Sequence, residues 1–302
     1  MFVSIMIVFA VYAIFFIVFE DYDRRFIRPF NEASDWHLLL FSIIVMAGLA
    51  WLLHRYAQRM DERISREQQE KQNQMRRELT QNIAHELKTP VASILGYTDT
   101  ILDNPGMNET TRKKFVARAN AQARRLSALL QDISTLNKMD YASNMLHRER
   151  VDISALVADI AQESEQALAR RHMKLSNCLP TDICIQGNWQ LIYSIFRNLT
   201  DNAVNYAGMG TTIEIAAEPL PSGWHFTFSD NGAGVPAEHL SRLFERFYRI
   251  DKGRSRDLGG TGLGLAIVKN AVLLHGGQIS ISNNKEGGLC LDFTLKSGII
   301  GE

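Results

Sequence analysis

The chain of 302 residues carries 33 lysines and arginines against 33 aspartates and glutamates, so its formal net charge is zero. A chain with no overall electrostatic field offers no argument for a nucleic-acid partner. Its cysteines, Cys178, Cys184 and Cys290, lack the spacing of a metal site, and we expect them to be reduced thiols in a protein core.

Two apolar runs open the chain. Residues 1–19 contain no charged side chain, and their apolar residues together favour membrane insertion by about 4 to 8 kcal/mol. A cleaved signal peptide is disfavoured because the run has no basic start and no A-x-A site follows it. The second run, 36–53, spans about 27 Å as a helix, which is enough to cross a bilayer with little tilt. The sequence therefore predicts a transmembrane helical hairpin over 1–53, in contact with membrane lipid.

Basic residues predict the orientation of this hairpin. Arginines and lysines are concentrated in 54–77, on the far side of the second run from the short loop 20–35. Because the more basic flank stays in the cytoplasm, the bulk of the protein is expected there and the loop outside. Such a short loop cannot bury a core of its own, and no separate sensor domain is expected outside the membrane. We therefore expect the stimulus to be sensed within the membrane, by the loop's charged residues, or through a membrane partner protein. A plain anchor is the alternative.

Residues 54–80 lead from the second apolar run to the motif QNIAHELKTPVASILGY, which covers 81–97. The segment is charged and rich in glutamine, and apolar residues such as Met60, Ile64 and Leu79 have nearly coiled-coil spacing. We expect one continuous signalling helix that reaches the motif.

His85 is the reactive candidate in this motif. At about 100° per residue, Ile83 and Leu87 belong to one apolar stripe, and His85 lies on the opposite side of the helix. We therefore expect an exposed imidazole, often neutral, with a ring nitrogen available to attack phosphorus. Glu86 can take up the ring proton, and Thr89, one turn further on, can orient a water molecule.

His85 has two other interpretations. An exposed histidine on a helix usually has no role, and only other motifs in the chain argue against that reading here. A zinc-protease motif, HExxH, requires a second histidine at the position that Thr89 occupies, so the sequence excludes it.

A second helix is expected to follow the first as a hairpin over 81–139. Residues 104–106 predict a turn, and Thr110 or Thr111 is expected to cap a helix that ends near Met139. Two antiparallel helices expose too much apolar surface alone, so we expect two chains to pair into a four-helix bundle.

The remainder, 145–297, alternates between helical and strand-like runs and predicts one α/β sandwich, with helices stacked on one face of a mixed sheet. The helical runs are 153–171, 189–206 and 261–275, and the strand-like runs are 211–217, 224–229, 278–282 and 289–295.

The second of these helical runs overlaps the motif RNLTDNAVNYA. Its apolar residues have helical spacing, so Asn198, Asn202 and Tyr206 fall partly off the buried stripe. Neutral amide oxygens suit Mg²⁺ that already carries triphosphate oxygens, because they complete its coordination without adding charge. Ordinary surface asparagines are the alternative.

The motif SDNGAGVP ends a strand-like run. It places Asp230 at the strand end and Gly232 and Gly234 in the turn that follows. A carboxylate there can accept a hydrogen bond from an exocyclic amine, while the glycines let the backbone approach a base. A plain surface turn is the alternative.

The motif GGTGLGLAIVK predicts a glycine-rich turn that runs into a helix, so that backbone N–H groups and the positive end of the helix dipole face phosphates. It lacks the lysine of a P-loop, and it lacks the preceding strand and later acidic residue of a dinucleotide fold. The candidate phosphate-binding residues are Gly260, Thr261, Gly262, Leu263 and Gly264.

Between the two glycine motifs lies LFERFYRIDKGRSRDL, whose charges and small residues predict a flexible lid over nucleotide. Phe244 and Phe247 are expected to anchor this lid. Arg246 and Arg249 are expected to neutralise a transferring γ-phosphate.

In this order and spacing, the motifs between Glu78 and Leu295 resemble those of the sensor histidine kinases of bacterial two-component systems. The resemblance implies a dimerisation and histidine phosphotransfer domain at 81–139. It implies a catalytic ATP-binding domain at 145–297, with the fold of gyrase and heat-shock chaperone ATPases. It also implies a homodimer in the bacterial inner membrane, with its catalytic domains in the cytoplasm and a cognate response regulator as partner.

The resemblance further implies roles for the candidate residues. His85 would be the phosphoacceptor, Glu86 its acid/base partner, and Thr89 the residue that positions water when phosphate is removed from the regulator. The roles in the ATP-binding domain would be Mg²⁺ binding by Asn202, support of the metal by Asn198, contact with the adenine ring by Tyr206, and recognition of its N6 amine by Asp230.

The sequence thus predicts transfer of the γ-phosphoryl group of ATP·Mg²⁺ to His85 and then to an aspartate of the regulator, with dephosphorylation of the regulator as a second activity. One alternative is a membrane-anchored ATP-binding scaffold without histidine phosphorylation, which would keep its signalling after His85→Gln. Another is a gyrase- or chaperone-like ATPase, which would turn over ATP without labelling itself.

Overall fold

The computed structural model describes residues 35–141, 147–250, 260–284 and 287–297. The chain divides into two compact units, Met1–Arg77 and Glu78–Glu302. Residues 1–34 lie outside the described residues. They include the first predicted membrane run, 1–19, and all of the predicted loop 20–35 except Asp35. The part of the predicted lid at 251–259 also lies outside the described residues.

Helix α1 (Asp35–Leu102) provides the described part of the first unit and the start of the second. Its sequence has few helix breakers and many alanines, leucines, glutamates and arginines, which are strong helix formers. Exposed ion pairs also stabilise the helix, by about 0.2–0.5 kcal/mol each. An example is Glu62 and Arg66, which lie one turn apart with their charged atoms 3.6 Å from each other. The predicted continuous helix over 54–85 is therefore confirmed.

Within the described ranges, none of the helices combines the length and the hydropathy that a membrane crossing requires. The predicted second span, 36–53, falls in the first part of α1. The membrane hairpin stays a prediction.

In the second unit, α1 continues to Leu102 and α2 (Glu109–Tyr141) follows after a short turn. The cap of α2 differs from the prediction, because Asn108 and not Thr110 or Thr111 provides it. The Oδ1 atom of Asn108 accepts a hydrogen bond from the N–H of Thr111 at 2.8 Å. An asparagine side chain placed ahead of the first turn satisfies an N–H group that the helix itself leaves unpaired.

The α/β region begins with β1 (Glu149–Asp152), α3 (Ile153–Arg170), β2 (Lys174–Cys178) and β3 (Cys184–Gly187). It continues with α4 (Trp189–Tyr206), β4 (Thr212–Leu220), β5 (Gly223–Asp230), the short α5 (Ala237–Leu240) and α6 (Gly264–Leu274). Strands β6 (Ile279–Asn283) and β7 (Leu289–Lys296) complete it.

Five of these strands form a mixed sheet in the order β2-β4-β5-β7-β6, in which only β2 and β4 run parallel. Strands β1 and β3 form a separate antiparallel pair. Residues alternate along β5, so that Phe226 and Phe228 are buried while Thr227 between them is partly exposed. Such alternation marks a sheet with one covered face.

Helix α4 packs on the covered face through an aromatic cluster. The ring of Phe196 lies edge-on to Phe226, with centroids 5.5 Å apart, and Phe293 stacks on Phe226 at 5.2 Å. All three side chains are essentially inaccessible. The predicted α/β sandwich with helices on one face of a mixed sheet is confirmed.

The cysteines are free thiols, as predicted. The prediction that they lie in the core is wrong. Cys178 is exposed on β2, and Cys184 and Cys290 are half-buried. Burial, with the nearby carboxylate of Asp292, raises the pKa of the Cys290 thiol to about 11. Cys290 points to the polar side of the sheet because it alternates with the buried Leu291.

Candidate functional site

The polar residues of α4 lie along one side of its C-terminal half. Their amides are held differently: the Nδ2 of Asn198 donates to the backbone oxygen of Ser194 at 2.7 Å, and its Oδ1 lies beside Gly264. The Nδ2 position of Asn202 is buried and has no hydrogen-bond partner among the described residues. A buried amide without a partner is costly, so Asn202 fits a site whose ligand supplies the missing contact.

Tyr206 closes this row at the last residue of α4 and keeps half of its surface accessible. Partial burial raises the pKa of its phenol, while the positive charges of Arg249 and Arg125 oppose that rise. The aromatic ring is thus available beside a cluster of cations.

The turn after β5 approaches the same end of α4. Asp230 uses Oδ1 to accept from the N–H groups of Gly232 at 2.9 Å and Leu289 at 3.4 Å, and the described contacts leave Oδ2 for a further donor. A Cβ atom on Gly232 would lie 2.2 Å from the backbone oxygen of Ala207, so only glycine permits this approach. Gly234, in the same turn, has φ of +69°.

The glycine-rich turn meets α4 from the other side. A Cβ atom on Gly264 would lie 2.7 Å from Oδ1 of Asn198, so the first residue of α6 packs directly against the amide row. Helix α6 starts at Gly264 and not at Thr261 as predicted, because Gly262 adopts φ of +73°, which a helix cannot include. The residues between Gly260 and Gly264 are therefore a turn at a helix N-terminus.

Phe244 and Phe247 pack against the core and anchor the described part of the lid, as predicted. The N–H of Phe247 donates to the backbone oxygen of Gly262 at 2.7 Å, which ties the lid to the glycine-rich turn. Arg249 donates to the backbone oxygen of Gly260 and keeps only 7% of its side chain exposed. Arg246 is half-buried on the same segment.

The helical hairpin contributes His85, which is exposed as predicted. One turn on, the hydroxyl of Thr89 donates to the backbone oxygen of His85 at 3.3 Å, so the two residues share a helix face. Pro90 is buried within an uninterrupted α1.

Glu86 links the hairpin to the lid. Its Oε2 lies 3.4 Å from the guanidinium of Arg125 on α2 and 3.4 Å from that of Arg249. The three side chains are 16%, 11% and 7% exposed. A carboxylate so removed from water is stable only when it is paired, and two arginines provide the pairing.

A second link joins α2 to the glycine-rich turn. The hydroxyl of Thr261 donates to Oδ2 of Asp132 at 2.7 Å and accepts from the N–H of Leu263 at 3.2 Å. Burial raises the pKa of Asp132, the hydrogen bond from Thr261 opposes that rise, and the negative charge of Asp201 adds to it. Arg125 and Asp132 were missed in the sequence because their partners lie 39 and 129 residues away.

No group of three or more histidine, cysteine, aspartate or glutamate side chains suited to a metal ion occurs in the part of the chain that the structure describes. The predicted metal ligand, Asn202, is an amide. An amide oxygen suits a cation that brings phosphate oxygens of its own.

Comparisons with known proteins agree with this layout. Residues 75–142 match the family described as His Kinase A (phospho-acceptor) domain. Residues 187–299 match the family described as Histidine kinase-, DNA gyrase B-, and HSP90-like ATPase.

Curated relatives point the same way. The chain is 35% identical over 210 residues to the phosphate regulon sensor protein PhoR of Pseudomonas aeruginosa, covering 70% of this chain and 47% of that protein. It is 34% identical over 226 residues to the signal transduction histidine-protein kinase BaeS of Escherichia coli, covering 75% and 48%. The chain therefore spans about half the length of these relatives.

Solved structures share the fold. Histidine kinase AdeS of Acinetobacter baumannii matches with a TM-score of 0.58 and 24% identity, over 71% of this chain and 98% of that chain. Histidine kinase ThkA, solved in complex with the response regulator protein TrrA, matches with a TM-score of 0.58 and 20% identity, over 73% and 61%. With its helical phosphoacceptor hairpin followed by an α/β ATP-binding domain, the chain belongs to the sensor histidine kinases.

Proposed function

We propose that the protein transfers the γ-phosphoryl group of ATP to its own His85 and passes it to an aspartate of a response regulator. One observation carries the proposal. The glycine-rich turn packs against Asn198 of α4, and the turn after Asp230 packs against the backbone of Ala207, the residue that follows α4. Their unit also contains His85.

The adenine would bind at the end of β5. Oδ2 of Asp230 would accept from the N6 amine, since the described contacts of this carboxylate fall on Oδ1. Tyr206 would lie beside the ring. Gly232 and Gly234 would allow the backbone to approach the base.

The triphosphate would lie at the N-terminus of α6, where backbone N–H groups of the turn 260–264 and the helix dipole favour anions. Asn202 would hold Mg²⁺, with Asn198 beside it, and the metal would offset charge on the phosphate oxygens. The buried Nδ2 of Asn202 has no partner among the described residues and would donate to a phosphate oxygen, which supports a ligand at this amide.

In the transfer, a ring nitrogen of His85 would form a bond to the γ-phosphorus while the bond from phosphorus to the bridging oxygen of ADP breaks. Arg246 and Arg249 would stabilise charge on the phosphoryl oxygens. The ring proton would pass to Glu86 as the imidazole acquires the phosphoryl group. The exposed position of His85 supports access by a separate phosphate donor and acceptor.

The phosphoryl group would then move to the aspartate of a regulator, and the complex of ThkA with TrrA is an example of such a pair on this fold. We propose that the protein also removes phosphate from its regulator, with Thr89 orienting the water. Thr89 lies one turn from His85, which supports that role.

We further propose a homodimer anchored in the cytoplasmic membrane of a bacterium. Large apolar side chains are exposed on the hairpin, among them Leu95 and Val116, and a second chain would cover them. In the first unit, Leu40, Ile44 and Leu52 are about 60% exposed, which supports contact with lipid.

The test is incubation of the full-length chain, in detergent solution, with γ-labelled ATP and Mg²⁺, beside His85→Gln. Label that is labile in acid, stable in base and absent from the variant would support the kinase. Tight nucleotide binding without label on the wild type would overturn it.

The second activity has its own test. Thr89→Ala should retain self-labelling and lose most of the regulator dephosphorylation, because the hydroxyl acts on water and not on ATP. Thr89→Ser, which keeps the hydroxyl, serves as the matched control. Equal loss of both activities in Thr89→Ala would contradict this division.

A further inference from the structure

Two carboxylates of the helical hairpin reach groups that were predicted to hold the triphosphate. Asp132 accepts from the hydroxyl of Thr261 in the glycine-rich turn at 2.7 Å. Glu86 pairs with Arg249 of the lid at 3.4 Å. Carboxylate and phosphate oxygens attract the same donors, so the hairpin presents negative charge where the nucleotide would present its own.

We propose that Asp132 is an internal competitor of the nucleotide: its carboxylate docks α2 on the glycine-rich turn, and binding of the triphosphate displaces it. This inference rests on the proposed function, since it assumes that the turn binds phosphate. It adds a built-in inhibitory contact between the phosphoacceptor hairpin and the ATP-binding region.

The hydroxyl of Thr261 cannot donate to Asp132 and to a phosphate oxygen at the same time. A threonine hydroxyl has one proton to donate, and in this structure that proton is given to Asp132. The N–H of Leu263, at the start of α6, is in turn taken by the hydroxyl oxygen of Thr261. The hydroxyl proton of Thr261 is thereby occupied, and a phosphate oxygen can accept it only after Asp132 leaves.

Charge acts in the same direction. The negative charge of a second carboxylate, Asp201, adds to the burial that raises the pKa of Asp132. The guanidinium of Arg197 pairs with Asp201 at 3.0 Å and is shared with Glu163, also at 3.0 Å. A triphosphate placed at the turn would add further negative charge to this group, and repulsion would favour release of the hairpin.

Apolar packing explains why the docked state persists without nucleotide. Leu129, Leu136 and Met139 are each less than 5% exposed and belong to the core cluster of the α/β region. Together with Asp132 they follow the three- and four-residue spacing of one helix face. The docking face of α2 is thus an apolar stripe with one carboxylate in it.

The affinity for nucleotide tests the proposal. Asp132→Asn removes the charge but keeps an oxygen that can accept from Thr261, so the fold is retained. Because apparent affinity falls with the fraction of protein held in the non-binding state, the variant should bind a non-hydrolysable ATP analogue about three- to tenfold more tightly than the wild type. Titration calorimetry on the full-length chain in detergent, with Mg²⁺, measures this.

Asp99→Asn is the matched control, because Asp99 is exposed near the far end of the hairpin and loses the same charge. Its dissociation constant should stay within about twofold of the wild type. An unchanged or weakened affinity in Asp132→Asn would overturn the competition, while nucleotide binding by the wild type would leave the proposed function standing. If no variant binds nucleotide, the proposed function and the competition both fall.

Methionine oxidation gives a second readout that needs no variant. Met139 is 3% exposed in the docking stripe, and Met173 is 6% exposed outside that stripe. A saturating ATP analogue should speed oxidation of Met139 by peroxide several-fold and leave Met173 slow, since only the docking contact is released. Equal protection of Met139 with and without the analogue would count against the proposal.

Discussion

The α/β region and the helical hairpin treat their apolar residues in opposite ways. In the α/β region, Phe196, Phe226 and Phe293 are buried against one another. In the hairpin, Leu95, Leu102 and Val116 each expose more than half of their surface. Burial of apolar surface is the main stabilising contribution in a fold, so the first region is complete within one chain and the second is not.

The α/β region and the hairpin are therefore suited to different roles. A region with a closed core can hold a site with fixed geometry, as the close approaches at Gly232 and Gly264 require. A helix pair with an open apolar face depends on what covers it, and α2 already uses one stripe to dock on the α/β region. The hairpin therefore combines a docked stripe with an exposed apolar face.

The largest expected effect is in the aromatic core. Phe196→Ala should lower the free energy of unfolding of the α/β region by about 3–5 kcal/mol, because it leaves a cavity beside two rings. Hydrogen exchange of the β5 and β7 amides measures that free energy. Phe115→Ala, at a half-buried ring 5.8 Å from Tyr97 in the hairpin, is the comparison and should cost much less. Equal losses would erase the contrast between the regions.

The next effect concerns the open face of the hairpin. Leu95→Glu should weaken dimerisation by about tenfold or more, because the charge would be buried against the second chain. Sedimentation equilibrium of the full-length chain measures the change. Gln81→Glu adds the same charge at another exposed position of α1 and should leave the dimer intact. A dimer that tolerates Leu95→Glu would refute this face as the pairing surface.

Two glycine-to-alanine substitutions compare the packed nucleotide site with the exposed hairpin helix. Gly264→Ala would place a methyl group 2.7 Å from Asn198 and should weaken nucleotide binding by about tenfold. Gly96→Ala, in the hairpin, meets nothing within 4 Å and should stabilise α1 by about 0.5–1 kcal/mol without changing affinity. Calorimetric titration and thermal unfolding report the two effects. Normal binding by Gly264→Ala would show that this contact does not shape the site.

The smallest effect is a pH dependence of stability from His275. This buried ring accepts from the N–H of Asn188 at 3.1 Å and contacts the backbone oxygen of Ala271 at 2.7 Å. Burial lowers its pKa, the hydrogen bond to Ala271 opposes this, and the charge of Arg148 adds to the lowering.

Because the folded state disfavours the protonated ring, its contribution to stability is complete above the unfolded pKa of about 6.5. As the pH falls below that value the unfolded chain takes up the proton first, and the free energy of unfolding decreases towards the folded pKa. Urea unfolding of the wild type should show this decrease, and His275→Gln should lack it. His85→Gln, which changes an exposed histidine of the hairpin, should keep the wild-type slope.

Several elements could be predicted because their signals are local. Helix α4 has the predicted bounds, since its apolar spacing and the cap from Asn188 to Leu191 lie within the segment itself. The exposure of His85 followed from the helical angle between it and its neighbours.

Other elements were missed for lack of a local signal. Strands β1, β2 and β3 are only four or five residues long and contain at most two apolar residues each, so none has a run of alternating apolar residues. They are strands because β1 pairs with β3 and β2 lies parallel to β4. Pairing partners distant in sequence leave no local pattern.

The sequence alone determined the long helices, the polar row of α4 and the two glycine turns, because periodicity and backbone freedom are properties of neighbouring residues. The tertiary structure decided which groups meet: Glu86 with Arg125 and Arg249, and Asp132 with Thr261. These contacts join side chains 39 to 163 positions apart in the chain, the larger value being the difference 249 − 86. Only the packing of α1 against α2, and of the hairpin on the α/β region, brings such residues within hydrogen-bond distance.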